Sequence, residues 1–405
     1  MIWIISWRNV WRNKLRSSLV ILAVTIGIIA GVFTVSFYKG MTSQRVKSVI
    51  NTETSHIQIH NKSYMLNNDP VYYINNTDNI IKTIKKLPEV KAVSKRLVSF
   101  SMCASAEKVA GVKVTGIEPD NEKKTSDINT KIIDGSYFTG IKRNPIIIGK
   151  KLAKELKVKV RSKIIITFQD INGNIISEAF RIAGIFETNN TIFDKTNAFV
   201  GFSDLKRIID FSDNSSHEIA IVFNNIDNTN EVKQKLADKF NTLDISTWNE
   251  LKPELAYMSD ISDFYMYIFV VIILLALCFG IVNTMLMAVL ERVKEFGMLM
   301  AIGMNKIKVF FMIMLETIFL SMIGGILGIV TGFLISKYFE TNPINLSMYS
   351  KALSSFGYDS LIYTQINIKM IIIITIMIIL TGIIAAIYPA IKALSNKPVE
   401  ALKTE

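Results

Sequence analysis

The sequence predicts an α-helical membrane protein: four transmembrane helices plus an α+β extracytoplasmic domain carried between the first two. Three observations carry that prediction. Half of the 405 residues are hydrophobic, and they gather in four blocks, 19–38, 265–290, 309–336 and 370–389, each near or beyond the roughly 20 residues a membrane crossing needs. Between the first two blocks, strand and helix periodicities alternate over a polar stretch long enough for its own core. The formal charge of +12 is also unevenly placed. Residues 41–263 hold 31 basic and 27 acidic side chains, whereas the rest of the chain holds 15 and 7. Two thirds of the excess therefore lies beside the bilayer, where lysine and arginine set orientation and meet anionic headgroups. Nucleic acid is not needed to explain it.

The elements follow in order. Residues 1–17 form an amphipathic elbow helix. Trp3, Trp7 and Trp11 recur every four residues, with Arg8, Arg12 and Arg16 one position later, so one face suits the headgroup boundary and its neighbour the phosphates. With Lys14 there are four basic and no acidic residues, which predicts a cytoplasmic N-terminus. No cleavable signal peptide is expected, because the apolar run is of full span length and lacks a small-x-small site.

Residues 18–39 are the first span and 40–263 the extracytoplasmic domain. The domain opens on His56-Ile57-Gln58-Ile59-His60, with period-two alternation, followed by a helix over 80–87 and an extended run over 90–102. It closes on strand 218–223, helix 229–240 and strand 243–247. Between these β-α-β-like halves lie a strand at 145–148, a short helix at 149–156 and a hairpin pairing 162–170 with 174–185 around Asn172-Gly173. The pattern predicts a split ferredoxin-like subdomain with an inserted, mainly β subdomain.

The second span covers 264–290. Its apolar run of 26 residues makes about 39 Å of helix, against a core near 30 Å, so it should protrude, with 254–264 as a stalk. Residues 291–307 are too polar to cross and form a cytoplasmic segment. The third span is 308–336, an outer loop 337–369, the fourth span 370–390 and a cytoplasmic tail 391–405 with Lys392, Lys397 and Lys403. Both termini are then inside.

Small residues recur at every fourth position in three spans: Ala23, Gly27 and Gly31; Ala276, Gly280, Thr284 and Ala288; Gly324, Gly328 and Gly332. In lipid such stripes let helices approach closely. They serve equally for packing within this bundle or for a subunit interface.

The segment that organises the rest begins at Glu291. Glu291 and Glu295 stand one turn apart, flanked by Arg292 and Lys294, while Val293, Phe296, Met300 and Ile302 occupy the reverse side. Such a helix lies along a membrane surface or in a partner's groove. Gly297 and Gly303 allow close backbone approach and the turn into the next span. Glu316 lies inside the third span, where a charged carboxylate at mid-membrane costs roughly 2.5–3.5 kcal/mol. It must be near the cytoplasmic edge, paired or protonated. Either it links the segment to the bundle, or it snorkels or bonds to Thr317 or Asn305.

Catalytic chemistry is not visible. Ile148-Gly149-Lys150-Lys151 lacks the earlier glycine and the hydroxyl of a phosphate-binding loop, so the chain is not expected to hydrolyse ATP. No metal site is expected: His56 and His60 share a strand face with Gln58, without H-E-x-x-H or a cysteine partner. Cys103 and Cys278 lie in different regions and form no disulfide framework.

The run Glu291-Arg292-x-x-Glu295-Phe296-Gly297-x-x-x-Ala301-x-Gly303 resembles the coupling segment of FtsX-like ABC permeases, the group with MacB-type efflux pumps and LolC/LolE-type lipoprotein-release permeases. Trp7-Arg8-Asn9 with Arg12-Asn13-Lys14, the glycine stripe after Glu316, Tyr388-Pro389-Ala390 and Pro398-Val399-Glu400-Ala401-Leu402 extend the resemblance over nearly the whole chain. It implies a permease dimer, with a second copy or a paralogue, in the cell inner membrane. The large domain would be periplasmic and in reach of a carrier or effector protein. Each permease would sit on a cytosolic ABC ATPase that binds the ATP and Mg²⁺, this chain binding no cofactor. The ATPase contacts would be Glu291, Arg292, Glu295, Phe296, Gly297, Ala301 and Gly303. The resemblance favours the first and second spans facing the second permease and Glu316 as the link. The expected function is ATP-driven extraction of lipoproteins. The alternatives are MacB-like export of peptides or drugs, for which a fused ATPase would be expected but the elbow starts at residue 2, and FtsX-like activation of a cell-wall hydrolase, which usually has a smaller outer domain.

Overall fold

The computed structural model describes residues 2–67, 69–225 and 229–395. The motif at 398–402 and Lys397 and Lys403 lie outside them. The chain divides into two compact units.

The first unit comprises residues 1–43, 259–345 and 361–405. Its helices are α1 (Ile2–Arg12), α2 (Lys14–Val49), α3 (Pro253–Glu291), α4 (Val293–Ala301), α5 (Lys306–Thr341) and α6 (Ile368–Ser395). Four of them, α2, α3, α5 and α6, are long and apolar enough to cross a membrane. The two that flank residues 50–252, α2 and α3, run beyond their apolar blocks. α3 has 39 residues, about 58 Å at 1.5 Å per residue, because no proline or glycine interrupts it before its apolar run begins.

The elbow ends at Asn13, inside the 1–17 segment, and the Ser17 hydroxyl reaches back across the break to the Val10 carbonyl. Ser6 Oγ donates to the Met312 carbonyl of α5 at 3.1 Å. Trp3 and Trp7 stand edge-on to Phe319, with ring centroids 4.8 and 5.4 Å away. The tryptophan face expected at the headgroups thus also packs on α5, since an aromatic edge and an aromatic face attract.

The glycine stripe of α5 is internal. A Cβ at Gly324 would lie 2.8 Å from Val24 Cβ, at Gly328 2.7 Å from Ile28 Cβ and at Gly332 3.2 Å from Val32 Cβ. α2 therefore lies backbone-close on α5, and the three valine and isoleucine side chains are buried. Gly27 faces Leu277 of α3. By contrast Ala276 and Gly280 are exposed, and a Cβ at Gly280 or Gly31 would meet nothing within 4 Å.

The second unit comprises residues 44–258 and 346–360. Its strands are β1 (Ile57–Asn61), β2 (Val90–Ala104), β3 (Val109–Ile117), β4 (Ile132–Gly135), β5 (Pro145–Gly149), β6 (Lys163–Gln169), β7 (Ile175–Phe186), β8 (Asn197–Gly201), β9 (Glu218–Phe223) and β10 (Leu243–Thr247). They make one ten-stranded sheet of order β10-β1-β9-β2-β3-β8-β5-β7-β4, with β6 bridging β2 and β7. The four strands at one end pair antiparallel throughout, with helices Thr77–Ile84 and Thr229–Lys239 in the crossovers. The strands of the inserted part do not build a separate sheet. β3 adds to β2 over nine residue pairs, Arg96 with Ile117 through Ala104 with Val109, so the long β2 belongs to both halves.

Each half keeps its own core. Ile57, Ile59, Ile84, Val93, Ile219, Ile221 and Val232 fill one. Leu97, Val112, Val114, Ile146, Ile148, Leu152, Phe168, Phe180 and Leu205 fill the other. The hairpin β6–β7 turns through residues 170–174, where Asp170 Oδ1 accepts from the Asn172 and Asn174 amides at 2.9 and 2.7 Å. Gly173 takes φ +86°, a value that favours glycine.

Candidate functional site

α4 sits between α3 and α5, and its two faces have different tasks. Phe296 is 1% exposed within the bundle core, and Gly297 is also buried. Phe296 carries the guanidinium of Arg292 at 5.2 Å from its ring centroid, a cation over an aromatic face. The helix closes at Gly303, φ +100°, with the Met304 amide donating to the Leu299 carbonyl at 3.0 Å. Asn305 then caps α5, its Oδ1 accepting from the Ile307 amide at 3.1 Å. Ala301 and Gly303 are exposed. Ile302, expected on the apolar face, is 86% exposed, because the helix has ended before it.

The charged residues form a connected set. Arg292 Nη1 donates to both oxygens of Glu316 at 3.1 Å, and its Nε donates to Glu295 Oε2 at 2.9 Å. Glu295 also accepts from Arg12 Nη2 at 2.6 and 2.7 Å, and Glu291 pairs with Arg16. Burial on its own would raise the Glu295 carboxyl. The hydrogen bonds and charges of Arg12 and Arg292 outweigh it and hold the group below the usual carboxylate range. Thr317 instead donates to Ile313, so neither Thr317 nor Asn305 is the partner of Glu316.

Two links differ in weight. Arg292 and Glu316 have side chains 14% and 12% exposed, so this pair is shielded from solvent. Arg12 and Glu295 are 53% and 39% exposed, in the range where an ion pair contributes roughly 0–1 kcal/mol. The arrangement joins these elements mechanically: the strong joint runs from Arg292, at the start of α4, to α5, and weaker ones run from α4 to the elbow through Arg12 and from the end of α3 to the start of α2 through Arg16. Arg12 and Arg16 were assigned to lipid phosphates by their face. The readable signal for their actual role was the matched spacing: two arginines four apart meet two glutamates four apart.

His56 and His60 are structural in their contacts. His56 Nδ1 accepts from the Phe223 amide at 3.0 Å. His60 stacks on Tyr64, which stacks on His217, with centroids 5.6 and 5.4 Å apart. Among the described residues no group of three or more His, Cys, Asp or Glu side chains is placed to hold a metal ion. Cys103 and Cys278 are free thiols, and burial pushes the Cys103 thiol up to about 12.

The profile of the MacB-like periplasmic core domain matches residues 17–239, and that of the FtsX-like permease C-terminal region matches residues 267–398. The lipoprotein-releasing system transmembrane protein LolC of Buchnera aphidicola is 24% identical over 392 residues, 95% of this chain and 92% of that one. LolE of Haemophilus influenzae is 23% identical, covering 82% of each chain. The extracellular domain of the ABC-type transporter YknZ from Gram-positive bacteria matches in structure over 48% of this chain and all of its own, with TM-score 0.34 and 17% identity.

Proposed function

This chain belongs to the FtsX-like ABC transporter permeases with a MacB-type periplasmic core domain, and from that premise we propose that it relays an ATPase's movement to its outer domain for lipoprotein release. The observation that carries the reading is the ion-paired α4. A load applied to its exposed side passes through Arg292 to Glu316 on α5, through Glu295 to the elbow, and through Glu291 to the start of α2. A helix held only by apolar packing would slide under such a load; one pinned by a shielded, charge-assisted contact from a single guanidinium nitrogen to both carboxylate oxygens moves with its neighbour.

In this reading Ala301, Gly303, Met298 and Ile302 form the face offered to a cytosolic ABC ATPase, where ATP and Mg²⁺ are bound. The exposed Ala276–Gly280 stripe of α3 faces a second permease copy or paralogue. The outer domain lies on the periplasmic side of the inner membrane, with both termini cytoplasmic. Strand order β10-β1-β9-β2 supports a split ferredoxin-like unit there, and the turn at 170–174 offers a contact for a periplasmic carrier. Similarity to LolC and LolE over most of the chain favours lipoproteins as cargo.

Depletion of the protein followed by membrane fractionation tests this. Lipoproteins retained in the inner membrane are the expected result. Normal lipoprotein sorting with drug or peptide sensitivity, or with chained cells, would reject the cargo while leaving the relay. Failure of the purified chain to recover any ATPase subunit would reject the relay itself.

A further inference from the structure

Within the outer domain, the sheet face turned away from the helices of the larger core opens into a cleft of about 950 Å³. This is within the range of roughly 300–1,000 Å³ found for sites of drug-sized ligands. Its lining is graded along β2 and β3. Arg96, Val98, Phe100 and Met102 alternate onto this face of β2, opposite Ile117, Thr115, Lys113 and Gly111 of β3. At the inner end the polar groups are already engaged. Arg96 donates to Glu122 and Glu218, both at 2.6 Å, and Lys252 pairs with Glu53 at 3.1 Å. At the outer end Phe100 is 56% exposed, Met102 51%, and across from them Ile175 of β7 is 79% and Met65 42% exposed. Gly111 leaves the row beside Met102 empty, since a Cβ there would meet nothing within 4 Å.

Lys113 stands where the two ends meet, directly across from Phe100. It makes no hydrogen bond or ion pair among the described residues, unlike the other two cations lining the cleft. Burial draws its ammonium below the usual lysine range; Arg96 and Lys252 add to that, and Glu218 and Glu53 oppose it. This half-buried cation has no counter-ion in direct contact and so leaves a positive charge facing the cleft. An anion delivered beside it would supply one, and outward from it Phe100, Met102 and Ile175 dominate the lining, with Gln169 at its edge and the Thr167 hydroxyl already bonded to Ser177, which favours an apolar remainder for that ligand.

We propose that this cleft is a binding site for a single-chain anionic amphiphile, whose carboxylate or sulfate pairs with Lys113 and whose chain lies along Phe100, Met102 and the Gly111 gap toward Ile175. The site is separate from the α4 network, and it stands or falls independently of the cargo read from similarity. The ligand's head is fixed by one charge and its chain by apolar contact alone, so head charge decides affinity and chain identity is loosely read.

The full chain in phosphatidylcholine nanodiscs, photolabelled with a dodecanoate bearing a terminal diazirine, tests this. Peptides containing Phe100–Met102 or Ile175 are expected to be labelled saturably, and the matching dodecanol to label them at least tenfold less. Lys113→Met should cut that labelling at least tenfold and Lys113→Arg retain it within about threefold. Gly111→Phe should abolish it by filling the gap. Labelling of α3 and α5 peptides by probe dissolved in the bilayer should be the same in every variant. Equal labelling by acid and alcohol, or wild-type labelling in Lys113→Met and Gly111→Phe, would overturn the assignment.

Discussion

Removing Arg292 strands Glu316 in a shielded site, whereas removing Glu316 leaves Arg292 still bonded to Glu295. Both side chains are about nine-tenths covered, and the guanidinium bonds both carboxylate oxygens at 3.1 Å. Breaking a buried pair by deleting one partner costs roughly 3–5 kcal/mol in water-soluble proteins. Within membranes, measured polar couplings average lower, about 0.6 kcal/mol with a maximum near 1.7. Glu316 lies about three turns into α5, where Arg292 reaches it from the break before α4, so we place the coupling energy between those limits, at about 2 kcal/mol. The exposed Arg12–Glu295 pair should couple by no more than about 1 kcal/mol. The assay is a double-mutant cycle with Arg292→Met and Glu316→Gln, alongside Arg12→Met and Glu295→Gln. Each variant is unfolded reversibly in mixed micelles and followed by the fluorescence of Trp3, Trp7 and Trp11. Arg292 also touches Glu295, but Arg12 remains to satisfy that carboxylate, and the cycle cancels the residue-specific costs. A coupling below about 0.5 kcal/mol for Arg292–Glu316, or one no larger than for Arg12–Glu295, would falsify the claim that the strong joint is between α4 and α5.

Other outcomes follow from the same geometry. Exchanging the charges, Arg12→Glu with Glu295→Arg, keeps the elbow pair. It also sets a cation against Arg292, which bonds Glu295, so it should restore only part of the stability lost in either single variant, and it should leave ATPase recovery impaired if Glu295 also contacts that subunit; full rescue of recovery would restrict Glu295 to the internal pair. Gly328→Val forces a methyl toward Ile28 and should cost about 1–3 kcal/mol by overpacking, read as a lower melting temperature. Gly280→Val should leave the isolated chain unchanged, so a loss of dimer in size measurements would mark that stripe as the subunit contact. In the outer domain, burial holds His217 down to about 4 and so neutral in the folded state. The unfolded chain then binds the extra proton between about pH 6.5 and 4, and stability falls with acid across that window by up to about 3 kcal/mol. Asp194, pushed up by burial to about 7, has the opposite sign and gains stability as pH falls from about 7 to 4. Hydrogen exchange of the full chain should show His217→Gln flattening the acid loss and Asp194→Asn steepening it; no change in either slope contradicts the assignments.

The four spans were legible because apolar blocks of that length have few alternatives, and the α4 segment because charge interrupts them. Local pairings were legible too: the hairpin at 170–174 follows from Asn172-Gly173 between alternating runs. What periodicity does not carry is which distant strands meet. The join of β2 to both β9 and β3 depends on the whole of a 15-residue strand bridging two cores, and nothing within residues 90–104 states its neighbours. The partner of Glu316 was hidden for a similar reason, since the candidates close in sequence, Thr317 and Asn305, are satisfied by backbone groups. Likewise the face that carries Arg12 suits lipid phosphates when read on its own helix, and only the opposing helix reveals its counter-ion. Lys113 sits in a strand where the alternating pattern alone would send it to water, and its shielding comes from strands and turns far along the chain.

The two matched pairs also straddle two chain breaks. Arg12 and Arg16 flank the α1–α2 break at Asn13, while Glu295 and Glu291 flank the α3–α4 break at Arg292, and the pairs run in opposite chain directions. Each break is thereby clasped to the other on both of its sides. A change of angle at one must then either open a clasp or be copied at the other, so the two corners bend as one hinge.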